Sequence, residues 1–331
     1  PIRARYAASH VDTIRKRVAV AFPGKEILIG ETGWPSAGRM REGALPSRAN
    51  QARVVSEILQ LAKQENFRVN LIEAFDQPWK RELEGTVGGY WGLIDAQARA
   101  LKYPAGVPIN NFPFWKQEMA AGMMLSALIF AMAMWTARRR PWAPRFVSWF
   151  GVFVSATAAG SLLGVAVDKM LYESLGAGGW TRWGFLLAAG IVAPVLSAGA
   201  LMSGQSLPTF LDFLGPRIGR TKSLRAVLLG LTLLVTTLIA AETALGFVFD
   251  PRYRDFPFAS LTMAVIPFWL LMAFNRPRSG VRPVAEASFA GLLTVSALYM
   301  GFNEGPANWQ SLWTCLIYLM LAVTLWRQIP G

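Results

Sequence analysis

From residue 118 to the C-terminus, most charged residues fall in short breaks between long apolar runs, whereas residues 1–117 mix charged and apolar positions throughout. Seven apolar runs stand out: 118–137, 146–167, 183–204, 224–247, 257–275, 285–302 and 308–326. Each is close to the length of about 20 residues that a membrane-crossing helix needs. They are continuous rather than alternating, which fits helices and not barrel strands, because in lipid a single segment must satisfy its own backbone. The pattern predicts an α-helical polytopic membrane bundle of about seven spans over 118–331. A soluble segment precedes it, and 105–117 serve as linker.

The soluble segment changes period. Residues 9–22 place Val11, Ile14, Val18 and Phe22 on one side of a helix that Pro23-Gly24 ends. Residues 26–30 read as a short strand. Ser47 is placed to cap a helix over 48–65, with Ala52, Val55, Ile58, Leu59 and Ala62 inward and Arg53 paired with Glu57. Residues 69–75 read as a second strand. The order helix, strand, helix, strand predicts parallel strands of an α/β barrel or open sheet.

Charge settles orientation. The formal net charge is +13, yet the basic residues flank the apolar runs, which argues for topology and against nucleic acid. Arg138, Arg139, Arg140 and Arg145 fill the first break. Arg217, Arg220, Lys222 and Arg225 fill the third, Arg276, Arg278 and Arg282 the fifth, and Arg327 the tail. The even breaks are nearly balanced. By the positive-inside rule the N-terminal segment lies outside and the C-terminus in the cytoplasm. Trp135, Trp149, Trp183, Trp269, Trp309 and Trp326 fall near run ends, as interfacial aromatic residues do. Inside the runs, Ala156, Gly160 and Gly164 form a small-residue face for close helix packing. Glu242 is an intramembrane carboxylate, either a functional group or a protonated or arginine-paired residue near the interface.

The chemistry available is narrow. His10 is the sole histidine and Cys315 the sole cysteine, so a histidine triad, a metal site or a disulfide framework is not expected. Carboxylates remain. Glu31 follows the first strand, and Asp76 and Lys80 follow the second, where the residues of an α/β barrel face its active site. Trp34, Trp79 and Trp91 supply flat apolar surfaces of the kind on which sugar rings stack. A carboxylate among such surfaces suits glycoside chemistry, which needs no metal or organic cofactor.

The run Ile29-Gly30-Glu31-Thr32-Gly33-Trp34-Pro35-Ser36 resembles the signature of glycoside hydrolase family 17, the β-1,3-glucanases and β-1,3-glucanosyltransferases. Glu73-Ala74-Phe75-Asp76-Gln77-Pro78-Trp79-Lys80 resembles the last barrel strand of that family, and Tyr90-Trp91-Gly92-Leu93-Ile94-Asp95 its closing segment. The resemblance covers residues 1–104 and implies the C-terminal part of a (β/α)8 TIM barrel. It implies that Glu31 is the catalytic nucleophile, with Trp34, Asp76, Gln77, Trp79, Lys80 and Trp91 binding substrate. Gln77 stands where many relatives carry a glutamate. The general acid of the family lies in an Asn-Glu pair on an earlier strand, and residues 1–117 contain no such pair. Asn303-Glu304 follows a hydrophobic run and is not expected to replace it. The chain begins with Pro1 and shows no leader peptide, so it reads as the C-terminal portion of a longer protein and is expected to be inactive alone.

Fusion of such a module to membrane helices resembles bacterial membrane-bound glucan transferases. That implies a multi-pass protein of the bacterial inner membrane, its N-terminal segment periplasmic. The implied partners are β-1,3-glucan or its oligosaccharides, the lipid bilayer and a glucan synthase. Two other readings stay open: a non-catalytic glucan-binding scaffold of a synthase complex, and a transporter.

Overall fold

The computed structural model describes residues 2–103, 106–140, 145–214, 223–275 and 283–327. Two compact units emerge. Unit 1 comprises residues 1–113 with 252–255 and 304–308, and unit 2 the remainder.

Unit 1 contains α1 (Ala7–Ala21), β1 (Ile29–Thr32), α2 (Arg48–Gln64), β2 (Val69–Leu71) and the single-turn α3 (Arg81–Glu84). β1 and β2 pair in parallel, which requires the crossover that α2 provides. α2 starts as expected: the Ser47 side chain accepts the Asn50 amide at 3.1 Å, and Arg53 meets Glu57 at 2.7 Å. Its buried face holds Val55, Ile58 and Ala62 as expected, but is centred slightly to one side. Gln51, Val54, Val55, Ile58 and Ala62 are buried, and Leu59 is exposed. The face of α1 differs more. Ala7, Ala8 and Asp12 are buried, while Ile14, Val18 and Phe22 are exposed. A parallel pair with one crossover helix covers only one side of its neighbours, whereas parallel strands usually need cover on both faces.

The loop residues at 252–255 and 304–308 are tied into unit 1 by polar bonds. Thr86 donates to Asp255 at 2.7 Å. Arg39 forms a buried ion pair with Glu304, and Asn308 donates to Glu304 at 2.9 Å and to the Met40 carbonyl at 3.0 Å. The Glu304 carboxylate is therefore engaged in holding Arg39 and Asn308.

Unit 2 contains α4 (Trp115–Arg138), α5 (Phe146–Glu173), α6 (Gly176–Ser203), α7 (Phe210–Leu214), α8 (Leu224–Phe249), α9 (Phe258–Phe274), α10 (Val284–Glu304) and α11 (Trp309–Trp326). Among the described residues, six helices are long and apolar enough to cross a membrane. The fifth expected run forms α9, a 17-residue apolar helix that is shorter than these six. At 1.5 Å per residue it is about 26 Å long, against roughly 30 Å of hydrocarbon. It is buried along most of its length, and α5, α6 and α11 pack around it.

The small-residue face works inside the bundle. A Cβ on Gly160 would lie 2.2 Å from Ser126 Oγ, and one on Gly122 only 2.1 Å from the Gly160 carbonyl oxygen. Ser126 donates to the Ala156 carbonyl at 2.9 Å. α4 and α5 thus meet backbone to backbone, as helices in lipid do when small residues allow it. Glu242 pairs with Arg182 at 3.0 Å, the arrangement expected of a carboxylate near a helix end. Two basic residues of the breaks bind helix-end carbonyls, Arg145 that of Phe274 at 3.1 Å and Arg225 that of Gly199 at 2.9 Å. Arg217, Arg220, Lys222, Arg276, Arg278 and Arg282 lie outside the described residues.

Candidate functional site

The three motif blocks of the N-terminal segment converge. Ile29 pairs with Val69 and Thr32 with Leu71, so Gly30 and Glu31 on β1 face a single residue, Asn70, on β2. That is a β-bulge, and the Asn70 amide donates to the Gly30 carbonyl at 3.0 Å across it. Glu31 was expected just past the strand. It sits within β1 instead, at the bulge, with its side chain exposed. An extra residue unpaired in the ladder re-aims the side chains around it, which is why bulges recur beside active sites.

The second block brings up a cation. Lys80 pairs with Glu73 at 2.5 Å, and its ammonium lies 5.8 Å from the Trp79 ring centre. The Glu73 hydrogen bond holds the Lys80 ammonium above its ordinary value, and the charges of Glu84 and Glu31 add to it. Glu73 and Lys80 therefore form an ion pair just past the end of β2. Glu73 is buried, and its second carboxylate oxygen has no hydrogen-bond partner among the described residues. Sequence reasoning passed over Glu73. Its signal was a lone carboxylate inside the apolar run Val69–Phe75, a residue type almost never buried without a partner.

The expected substrate residues divide. Trp79 is 60% exposed, as a stacking surface must be, and Gln77 is half-buried. Trp34 is not an exposed plate. It is 8% exposed and packs with Ala4, Ala7, Ala8, Val54 and Ile58, its indole donating to the Leu45 carbonyl at 3.0 Å. Trp91 is half-buried, and its carbonyl accepts from the buried Gln51 amide at 3.0 Å.

Asp76 is also placed differently from expectation. It is buried, and its Oδ1 accepts from Lys102 at 2.6 Å and from the Gly92 amide at 3.0 Å. Both contacts are made to Oδ1 and are internal to the segment. Lys102 further donates to Ser36 Oγ at 2.7 Å and to the Tyr90 carbonyl at 3.3 Å, and Ser36 donates its amide to Tyr90 at 2.9 Å. One buried ammonium joins all three blocks. Burial pushes the Asp76 carboxyl up and the Lys102 ammonium down, each opposed by the bond between them. Gly92 is required by close approach: a Cβ there would lie 2.1 Å from the Asp76 amide nitrogen. No local pattern marks Lys102, because its partners lie up to 66 residues away.

This division predicts that Trp79→Ala weakens oligosaccharide binding about tenfold, the equivalent of roughly 1.4 kcal/mol, for loss of one stacked ring. The melting temperature should stay unchanged, since the ring is exposed. Titration calorimetry with a β-1,3-oligosaccharide, beside a thermal scan, checks both.

Residues 2–92 match the family described as BtgE/BtgC glycoside hydrolase domain. The chain is 37% identical over 82 residues to a probable family 17 glucosidase of Saccharomyces cerevisiae, covering 24% of this chain and 20% of that one. It is 37% identical over 73 residues to a probable beta-glucosidase of Neosartorya fischeri (22% and 13%) and 32% identical over 87 residues to a glucan 1,3-beta-glucosidase of Candida albicans (26% and 28%). The chain spans a fifth or less of the length of the first curated relatives it matches. An active-site mutant of Rhizomucor miehei beta-1,3-glucanosyltransferase, solved in complex with laminaritriose, aligns at 28% identity over 33% of this chain and 38% of that one. Its TM-score is 0.29, too low for the overlay to speak to shape. The sequence blocks thus carry the likeness of the N-terminal segment to glycoside hydrolase family 17.

Proposed function

We propose that this protein is a membrane-anchored, retaining β-1,3-glucan-active enzyme, a glucanosyltransferase or glucanase that builds or remodels β-glucan. Residues 1–104 form the C-terminal part of its (β/α)8 barrel, and 118–331 a seven-span anchor in which α9 is the shortest span. The N-terminal segment is periplasmic, on the outer face of a bacterial inner membrane, and the C-terminus cytoplasmic. The exposed Ile14, Val18, Phe22 and Leu28 support the barrel reading, being apolar surface that neighbouring barrel elements would cover.

The observation that carries the reading is the bulge at which Glu31 is exposed, in the segment similar to family 17. In a retaining mechanism the Glu31 carboxylate attacks the anomeric carbon as the glycosidic bond breaks. A carboxylic acid roughly 5–5.5 Å away protonates the leaving oxygen. That acid is assigned to the earlier Asn-Glu strand of the family. It then takes a proton from the incoming water or sugar hydroxyl, which displaces Glu31. Trp79 stacks a ring, and Lys80 and Gln77 bind hydroxyls. Tethering to the membrane keeps the site at high effective concentration near nascent glucan, with a glucan synthase as the natural neighbour.

The test is to incubate the full-length protein in detergent with linear β-1,3-oligosaccharides and follow product masses. Longer or cyclised products are expected of a transferase, and products that are only shorter make it a hydrolase. Substrate bound but left intact overturns the catalytic reading in favour of a glucan-binding scaffold.

A further inference from the structure

Two loops follow the paired strands of unit 1, and in the proposed barrel such loops frame the active site. The first, residues 33–47, joins β1, which carries Glu31, to α2. The second follows β2 and carries Trp79, Lys80 and the short helical turn Thr86–Gly89. The two loops lie against each other. The Ser36 amide donates to the Tyr90 carbonyl at 2.9 Å, and a Cβ on Gly38 would lie 2.7 Å from the Val87 amide nitrogen.

Each loop is braced from a distant part of the chain. Residues 252–255, between α8 and α9, and 304–308, between α10 and α11, belong to the same compact unit as the loops. The later break holds the first loop. Arg39 and Glu304 form an ion pair with side chains only 6% and 9% exposed, and the fully buried Asn308 donates to the Met40 carbonyl at 3.0 Å and to Glu304 at 2.9 Å. The earlier break holds the second loop. The buried Thr86 donates to Asp255 at 2.7 Å, and a Cβ on Gly85, at φ +68°, would lie 2.5 Å from the Tyr253 carbonyl oxygen. These partners are 268 and 169 residues apart in the chain. A loop with few buried contacts opens at little cost, whereas buried hydrogen bonds to a carboxylate must be broken before either of these can open.

We propose that Glu304, Asn308 and Asp255 are positioning residues that order the two loops framing the glucan site. Each acts through another residue: Glu304 through Arg39, Asn308 through the Met40 carbonyl and Glu304, and Asp255 through Thr86. The sequence beyond residue 118 then does more than anchor, because two of its breaks hold the substrate loops in shape. The proposed topology places both breaks on the same side as the N-terminal segment. The consequence for substrate rests on the proposed glucan activity, whereas the bracing rests on the contacts alone.

The test is amide hydrogen exchange of the full-length protein in detergent, read beside turnover of β-1,3-oligosaccharides. Glu304→Gln and Asn308→Ala should each speed exchange over residues 37–45 by about tenfold, the worth of one buried hydrogen bond to a charged group, and leave β1 and β2 unchanged. Thr86→Val should do the same over residues 80–90, and Thr86→Ser, which keeps the donor, should not. In the three variants that free a loop, KM should rise about tenfold with kcat within about threefold of wild type, because a loosened loop costs binding before it costs chemistry. Unchanged exchange in these three variants overturns the bracing. Faster exchange with an unchanged KM overturns the positioning role. A wild type that turns over no β-1,3-glucan overturns the glucan reading, while faster exchange in the variants still upholds the bracing.

Discussion

Glu31→Gln should lower turnover of β-1,3-oligosaccharides by at least about a thousandfold, roughly 4 kcal/mol of transition-state stabilisation, while leaving the fold intact. The amide has nearly the shape of the carboxylate but cannot attack an anomeric carbon. Glu31 is exposed at a bulge, so its replacement removes no core contact. The expected signature is a collapse of kcat with a KM within a few fold of wild type and an unchanged melting temperature. A loss of kcat and melting temperature together would make Glu31 structural. Full activity in Glu31→Gln would remove it from the mechanism.

Asp76→Ala should destabilise the N-terminal segment by about 3–5 kcal/mol, because it strands a buried ammonium. The Lys102 and Asp76 side chains are 3% and 4% exposed. Without Asp76, Lys102 keeps only Ser36 and the Tyr90 carbonyl, neither of them charged, and the Gly92 amide loses its acceptor. The double variant Asp76→Asn with Lys102→Met should recover most of the loss, since removing both charges also removes the cost of burying them. Chemical denaturation of wild type, Asp76→Asn, Lys102→Met and the double variant forms the double-mutant cycle that checks this. The sign with pH follows from the direction of the shift. Burial raises the folded-state Asp76 carboxyl above its ordinary value, so the folded protein holds that proton more tightly than the unfolded chain. Stability from this residue then falls as pH rises through the window above the ordinary carboxylate value, and acid unfolding should not begin here.

Read in one dimension, the chain states much of this. The long helices of unit 2 begin and end close to the apolar runs, because a span in lipid must be long, apolar and self-bonded, and all three properties are local. Ser47 caps α2 for an equally local reason, its hydroxyl lying three residues from the amide it accepts. The β–α–β order and the three blocks that resemble family 17 are contiguous words in the sequence. The pairing of Gly160 with its helix neighbour was legible as a small-residue face, although its partner Gly122 was not.

What only the tertiary structure decided are the matters set by distant partners. Glu31 lies at a bulge because β1 has one residue more than β2 between their paired ends, and strand length alone cannot show that. Trp34 is core and Trp79 is surface, although both are tryptophans near a strand end, because one ring packs against α1 and α2 while the other lies open beside the Lys80 ammonium. Asp76 accepts from Lys102 and Gly92, and Lys102 gathers Ser36, Asp76 and Tyr90 from across 66 residues. Hydrophobic period reports which face of an element is apolar. Which neighbour covers that face, and which buried charge answers another, depends on contacts the chain makes only once it is folded.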